Sequence, residues 1–182
     1  METIATRTFD VPKREDVSSN NQAIFDNLKK NLGFVPNLYA YYAKNETALE
    51  GYLTQQNRRS TLKIREKEVI NLVVSQINEC QYCLAAHTVI AKMNGFADAQ
   101  IKEIRRGGAS FDLQLDALAK FTASVTKNHG KVSNETKESF FAAGYDESNL
   151  IDVVMVISEK ITSNYLHNIT QLEVDFPLAE AI

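Results

Sequence analysis

The sequence predicts an all-α protein, and three observations carry that prediction. Apolar residues recur at helical spacing through most of the chain, as they do when one face of each helix is buried. Glycine and proline are scarce, seven and three in 182 residues, and act as punctuation between periodic stretches. The one strand-like run, Val153-Val154-Met155-Val156-Ile157, has no second run to pair with, so it too reads as helix.

In chain order, residues 1–20 are polar and read as an extended N-terminal arm. Asn21 to Leu32 carries Ile24, Phe25 and Leu28 on one face, and Gly33 sits where a helix would stop. Phe34-Val35-Pro36-Asn37 reads as a turn. Leu38 to Arg59 reads as two helices around Lys44-Asn45, with Tyr39, Tyr41 and Tyr42 as core. Glu66 to Ile77 has Val69, Ile70, Val73, Val74 and Ile77 at helical spacing, with Glu66 on the surface. Gln81 to Asn94 is closed by Gly95. A short polar helix over Asp98–Arg106 ends at Gly107-Gly108. Asp112 caps a helix through Lys127, and Ser133 caps one that stops at Gly144. Leu150 to Ile169 is a long helix, followed by an irregular tail around Phe176-Pro177. The length fits a single domain over 1–182.

The composition excludes several function classes. Net charge is −3 with no acidic or basic block, which argues against nucleic acid or a membrane surface as partner. The N-terminus lacks the apolar core of a signal peptide, and Val153–Ile157 is far too short to span a membrane. The expected compartment is the cytoplasm.

The only two cysteines stand together in Cys80-Gln81-Tyr82-Cys83. A pair this close constrains little of the unfolded chain, so a structural disulfide explains it poorly. In a reducing compartment it reads as redox or metal chemistry. His87 follows Cys83 by four residues, which places both on one helix face, and helical side chains lean toward the N-terminus. His87 is therefore aimed back over Cys83, while Cys80 lies a turn earlier near the helix start. A helix N-terminus contributes roughly 0.3–1 kcal/mol to a thiolate. The imidazole supplies the rest, by taking the proton or by pairing with the thiolate. These relations assign attack to Cys83 and resolution to Cys80, the reverse of the thioredoxin-like order.

Glu68 enters by a tertiary argument. The helix from Glu68 to Asn78 rises about 15 Å, and Cys80 to His87 about 10 Å. A hairpin at Asn78-Glu79 brings Glu68 to the level of His87 or just beyond. A carboxylate against Cys83 would oppose ionisation, whereas one on the far side of His87 would orient the ring. Tyr82 reads as packing or rim, His129 as a solvated turn, and His167 as packing.

The Glu68-to-Cys80 interval, the Cys80-x-x-Cys83 pair and His87 resemble, in order and spacing, the redox pattern of the alkylhydroperoxidase D-like (AhpD-like), carboxymuconolactone decarboxylase superfamily. Gly33-Phe-Val-Pro-Asn-Leu38 and Asn164-Tyr-Leu-His-Asn-Ile169 resemble its peroxidase-related branch. The resemblance implies a compact AhpD-like helical domain with the Cys pair at the start of a central helix. It implies a homo-oligomer, a trimer or higher, that reduces a small hydroperoxide and is recycled by a thiol or dithiol reductant. It implies catalytic roles for Cys83 and Cys80 and a proton relay through His87 and Glu68, with no cofactor. Position 82, often His in the superfamily's peroxidases, is Tyr here. Two other functions compete. A lactone decarboxylase-like lyase does not rely on a Cys pair. A redox-sensing or metal-binding module without turnover would use the same four residues, but zinc would usually need a second ligand pair, so a metal-free site is expected.

Overall fold

A computed structural model describes residues 8–182, and among them nine α-helices, one short 3-10 helix (Arg14–Asp16) and no strand are found. The α-helices are α1 (Ser19–Leu32), α2 (Asn37–Tyr42), α3 (Ala48–Gln56), α4 (Ile64–Ile77), α5 (Gln81–Met93), α6 (Asp98–Arg105), α7 (Leu113–Lys127), α8 (Asn134–Ala142) and α9 (Glu147–Thr170). No helix among the described residues is long and apolar enough to cross a membrane.

α4 is the hub. It packs against α5, α6, α7 and α9, and a helix enclosed on so many sides must be apolar nearly all round. Val69, Ile70, Leu72, Val73 and Val74 are accordingly all without solvent exposure. One core cluster joins this helix to α6–α9, with Phe140 stacked between Phe121 at 4.3 Å and Tyr145 at 4.6 Å. A second cluster collects Phe25, Leu38, Tyr42, Leu49 and Tyr52 from α1–α3 around the start of α5, and both cysteines lie in it.

The caps follow the sequence closely. Gly33 ends α1 at φ 87°, the left-handed conformation that glycine adopts freely. Asp112 accepts from the Gln114 and Leu115 amides, and Ser133 accepts from Thr136. Four differences have physical causes. α9 begins at Glu147 rather than Leu150, because Asp146 is an N-cap that accepts from the Asn149 amide. Glu66 is buried rather than on the surface, since its carboxylate accepts from the Lys63 amide and the Tyr145 hydroxyl. Asn37 opens α2 instead of belonging to a turn. Of the proposed arm, residues 1–7 lie outside the described residues, α1 already begins at Ser19, and the stretch before it is anchored by the buried Val17, the half-buried Val11 and the pairing of Arg14 with Asp26 at 2.7 Å.

Two connections position the site. α4 ends at Asn78, and Glu79 (φ 54°) reverses the chain with its amide on Gln76 O at 3.2 Å and the Cys80 amide on Ser75 O at 3.0 Å. This is a Schellman turn with a glutamate in the left-handed position. At the other end, the tail after α9 crosses back over α2 as a strap. The Asp175 carboxylate accepts from the Asn37 amide at 2.7 Å, and Phe176 meets Phe34 and Tyr82 edge-on.

Candidate active site

Cys80 is the N-cap of α5. Its sulfur takes the place of the usual capping oxygen and accepts from the Cys83 amide at 3.3 Å. Cys83 stands in the first turn, where the helix dipole favours an anion. Both cysteines are free thiols. Cys80 has no exposed surface, while Cys83, 3% exposed, lines a cavity of about 890 Å³.

The hairpin brings Glu68 to His87. Glu68 Oε2 lies 2.8 Å from His87 Nδ1, and Glu68 Oε1 accepts from Asn71 Nδ2 at 3.0 Å. With a carboxylate facing it, Nδ1 is assigned the proton of the neutral ring, leaving Nε2 the lone pair. Burial opposes ionisation of Glu68, but the His87 charge and hydrogen bond, with help from Asn71 and Lys160, hold its carboxyl below the usual range. All four residues singled out in the sequence thus meet in one place.

The pair of sulfurs is electrically unequal. The Cys80 thiol beside it, then Lys160, His87 and Asn164, hold the Cys83 thiol below the ordinary thiol range against the opposing effect of burial. Cys80 is pushed above that range, first by its hydrogen bond to Cys83 and then by burial. The sulfur that faces the cavity is also the one that ionises more readily.

The sequence reading missed the contribution of α9. Lys160, Ser163 and Asn164 are buried along its inner face. Cys83 Sγ lies 3.8 Å from Ser163 Oγ as a weak donor, and Asn164 Nδ2 donates to Ser75 at 3.2 Å. The signal was present. Val153, Val156 and Ile157 continue at helical spacing into Lys160, Ser163, Asn164 and His167, so one buried stripe changes from apolar to polar partway along. Tyr39 lines the cavity beside Tyr52, which departs from its expected role as core alone. Tyr82 is buried, and its hydroxyl accepts from the Leu38 amide at 3.2 Å, a packing role. His167 is buried with Nε2 3.1 Å from Leu172 O, and His129 is exposed. Among the described residues, no group of three His, Cys, Asp or Glu side chains is arranged to hold a metal ion.

The helical scaffold buries an unbridged Cys-x-x-Cys beside an acid–imidazole pair, and the scaffold is the AhpD-like fold. Residues 43–123 match the model of the carboxymuconolactone decarboxylase family. The fold is shared with an uncharacterised peroxidase-related protein from Silicibacter sp. TM1040 (TM-score 0.81, 23% identity, 95% of this chain and 94% of that one). It is shared also with an AhpD-core, peroxidase-related protein from Ralstonia eutropha JMP134 (0.83, 18%, 92% and 91%). A debrominase solved in complex with 2,3,4-tribromopyrrole has the same fold (0.73, 15%, 90% and 89%). No curated protein matches the sequence. The chain therefore has the AhpD-like fold, and its residues 43–123 are similar to the carboxymuconolactone decarboxylase family.

Proposed function

We propose that the protein is a thiol-dependent peroxidase that reduces hydroperoxides through Cys83 and Cys80. The observation that carries this reading is the inequality of the two sulfurs: Cys83 faces the cavity beside His87, and Cys80 sits behind it, capping the helix. The Cys83 thiolate attacks the distal peroxide oxygen. An S–O bond forms, the O–O bond breaks, and the alkoxide leaves with a proton delivered through His87. The Cys83 sulfenic acid then condenses with the Cys80 thiol, giving a disulfide and one water. A thiol or dithiol returns both sulfurs to the reduced state. Glu68 holds His87 in the tautomer that this exchange needs.

Mass spectrometry after one equivalent of hydroperoxide tests the assignment. Cys80→Ser is expected to react once and accumulate a trappable sulfenic acid, and Cys83→Ser to react scarcely at all. A sulfenic acid on Cys80 alone would reverse the roles, and no modification of either sulfur would remove the peroxidase reading.

The aromatic walls of the cavity, from Phe34, Tyr39, Tyr82 and Phe176, favour a second reading, reductive dehalogenation of an aromatic ring. There the two thiols would become a disulfide while carbon–halogen is replaced by carbon–hydrogen and halide is released. Bromide release from a bromopyrrole in the same reduced protein distinguishes the two.

A further inference from the structure

Lys160 is 2% exposed, on the wall of the cavity that also holds Cys83. A buried ammonium is costly unless it is compensated. Among the described residues its one ion-pair partner is Glu159, at 3.7 Å. That carboxylate is already engaged, since Glu159 Oε1 accepts from the Tyr52 hydroxyl at 2.9 Å and from Gln56 Nε2 at 3.3 Å. One turn after Lys160, Ser163 touches the Cys83 sulfur. Cys83, on the same cavity wall, is a further group that can become an anion.

The other titratable groups around Cys83 leave this role open. Cys80 and His87 come from its own helix, Glu68 from α4, Tyr39 and Tyr42 from α2, Tyr52 from α3 and Glu159 from α9. Glu68 is bonded to His87, and burial keeps the three tyrosines neutral. Two groups can offer positive charge, and one of them, His87, has to gain and lose a proton in each cycle. Burial works against the charge on Lys160, but Glu159, Cys83, Tyr39 and Glu68 together raise it above the ordinary lysine value.

We propose that Lys160, rather than His87, supplies the standing positive charge that keeps Cys83 ionised and leaves His87 free to move protons. It is a positioning residue, acting on substrate through the sulfur. The proposal rests on the reading above only in taking Cys83 as the attacking thiol, and it can be tested without peroxide.

The measurement is the pH midpoint of iodoacetamide alkylation in the full chain, with the modified cysteine located by mass spectrometry. In Lys160→Met the Cys83 midpoint is expected to rise by about one unit, a tenfold loss of thiolate below it. Lys160→Arg is expected to restore the midpoint of the unaltered protein. The paired variant Glu159→Gln/Lys160→Met leaves no buried charge unbalanced and is expected to show the same rise. An unmoved midpoint on Cys83 in a folded Lys160→Met protein overturns the proposal while leaving the peroxidase reading intact. Loss of the fold in both neutral variants assigns the ammonium to structure and also overturns it. Alkylation that lands on Cys80 instead defeats the attacking assignment and this proposal with it.

Discussion

At the scale of single residues, Glu68 is the sharpest case of a side chain that acts through another. In Glu68→Gln an amide nitrogen can face Nδ1, which favours the tautomer with its proton on Nε2 and removes the lone pair from the cavity side. The rate of peroxide reduction is expected to fall by about 10²–10⁴-fold, the range for losing a positioned base, and stopped-flow turnover reads it. The same variant has a signature in stability. The folded carboxyl of Glu68 lies below its ordinary 4.5, so its contribution is complete above that pH and is lost as pH falls through the folded value. Denaturant titrations on the acid side should therefore show a shallower decline for Glu68→Gln than for the unaltered protein. Equal slopes would mean that the Glu68–His87 bond carries no linkage. Glu68, Cys80, Cys83 and His87 were legible because their spacing converts directly into heights on two antiparallel helices. Lys160 and Ser163 were not, because they approach from a helix some eighty residues away whose rotation no local spacing fixes.

At the scale of elements, the α4–α5 turn decides whether those heights agree. Glu79 holds φ 54° there, a conformation that costs a side chain roughly 1–2 kcal/mol. Glu79→Gly removes that cost and restores roughly half of it as unfolded-chain freedom. Thermal melts should show a Tm about 2 °C higher, and Glu79→Val should melt lower than either. A lower Tm for the glycine variant would mean that the Glu79 side chain contributes more than its backbone strain costs. Most helix ends were readable because caps and punctuation are local: Gly33, Asp112 and Ser133 each end or begin a helix as the sequence expects. The fate of Glu66 was not, because its partner Tyr145 is 79 positions away.

At the scale of the whole molecule, self-association has to draw on apolar side chains that the core leaves uncovered. Val153, Val156 and Ile157 are buried in the core, and Tyr42 is stacked on Tyr52. The exposed apolar side chains of α9 are Ile151, Val154, Tyr165 and Ile169 on its outer face. We expect an oligomer that uses this face. Light scattering at micromolar concentration should show assembly for the unaltered chain and a smaller mass for Val154→Glu/Ile169→Glu; a monomer in both would refute self-association. The strap over α2 has a consequence for when the site comes into being. Its bond from Asn37 to Asp175 joins positions 138 apart, so the wall that carries Phe176 closes after most other contacts have formed. A nascent chain emerging from the ribosome would carry both thiols long before it carries their shelter. During that interval oxidants would meet the sulfurs unsorted by size or shape, and maturation, rather than chemistry, would set when selectivity begins. Chains released at Thr170 should label with a bulky maleimide faster than chains released at Ile182, and equal labelling would show that the strap shelters nothing.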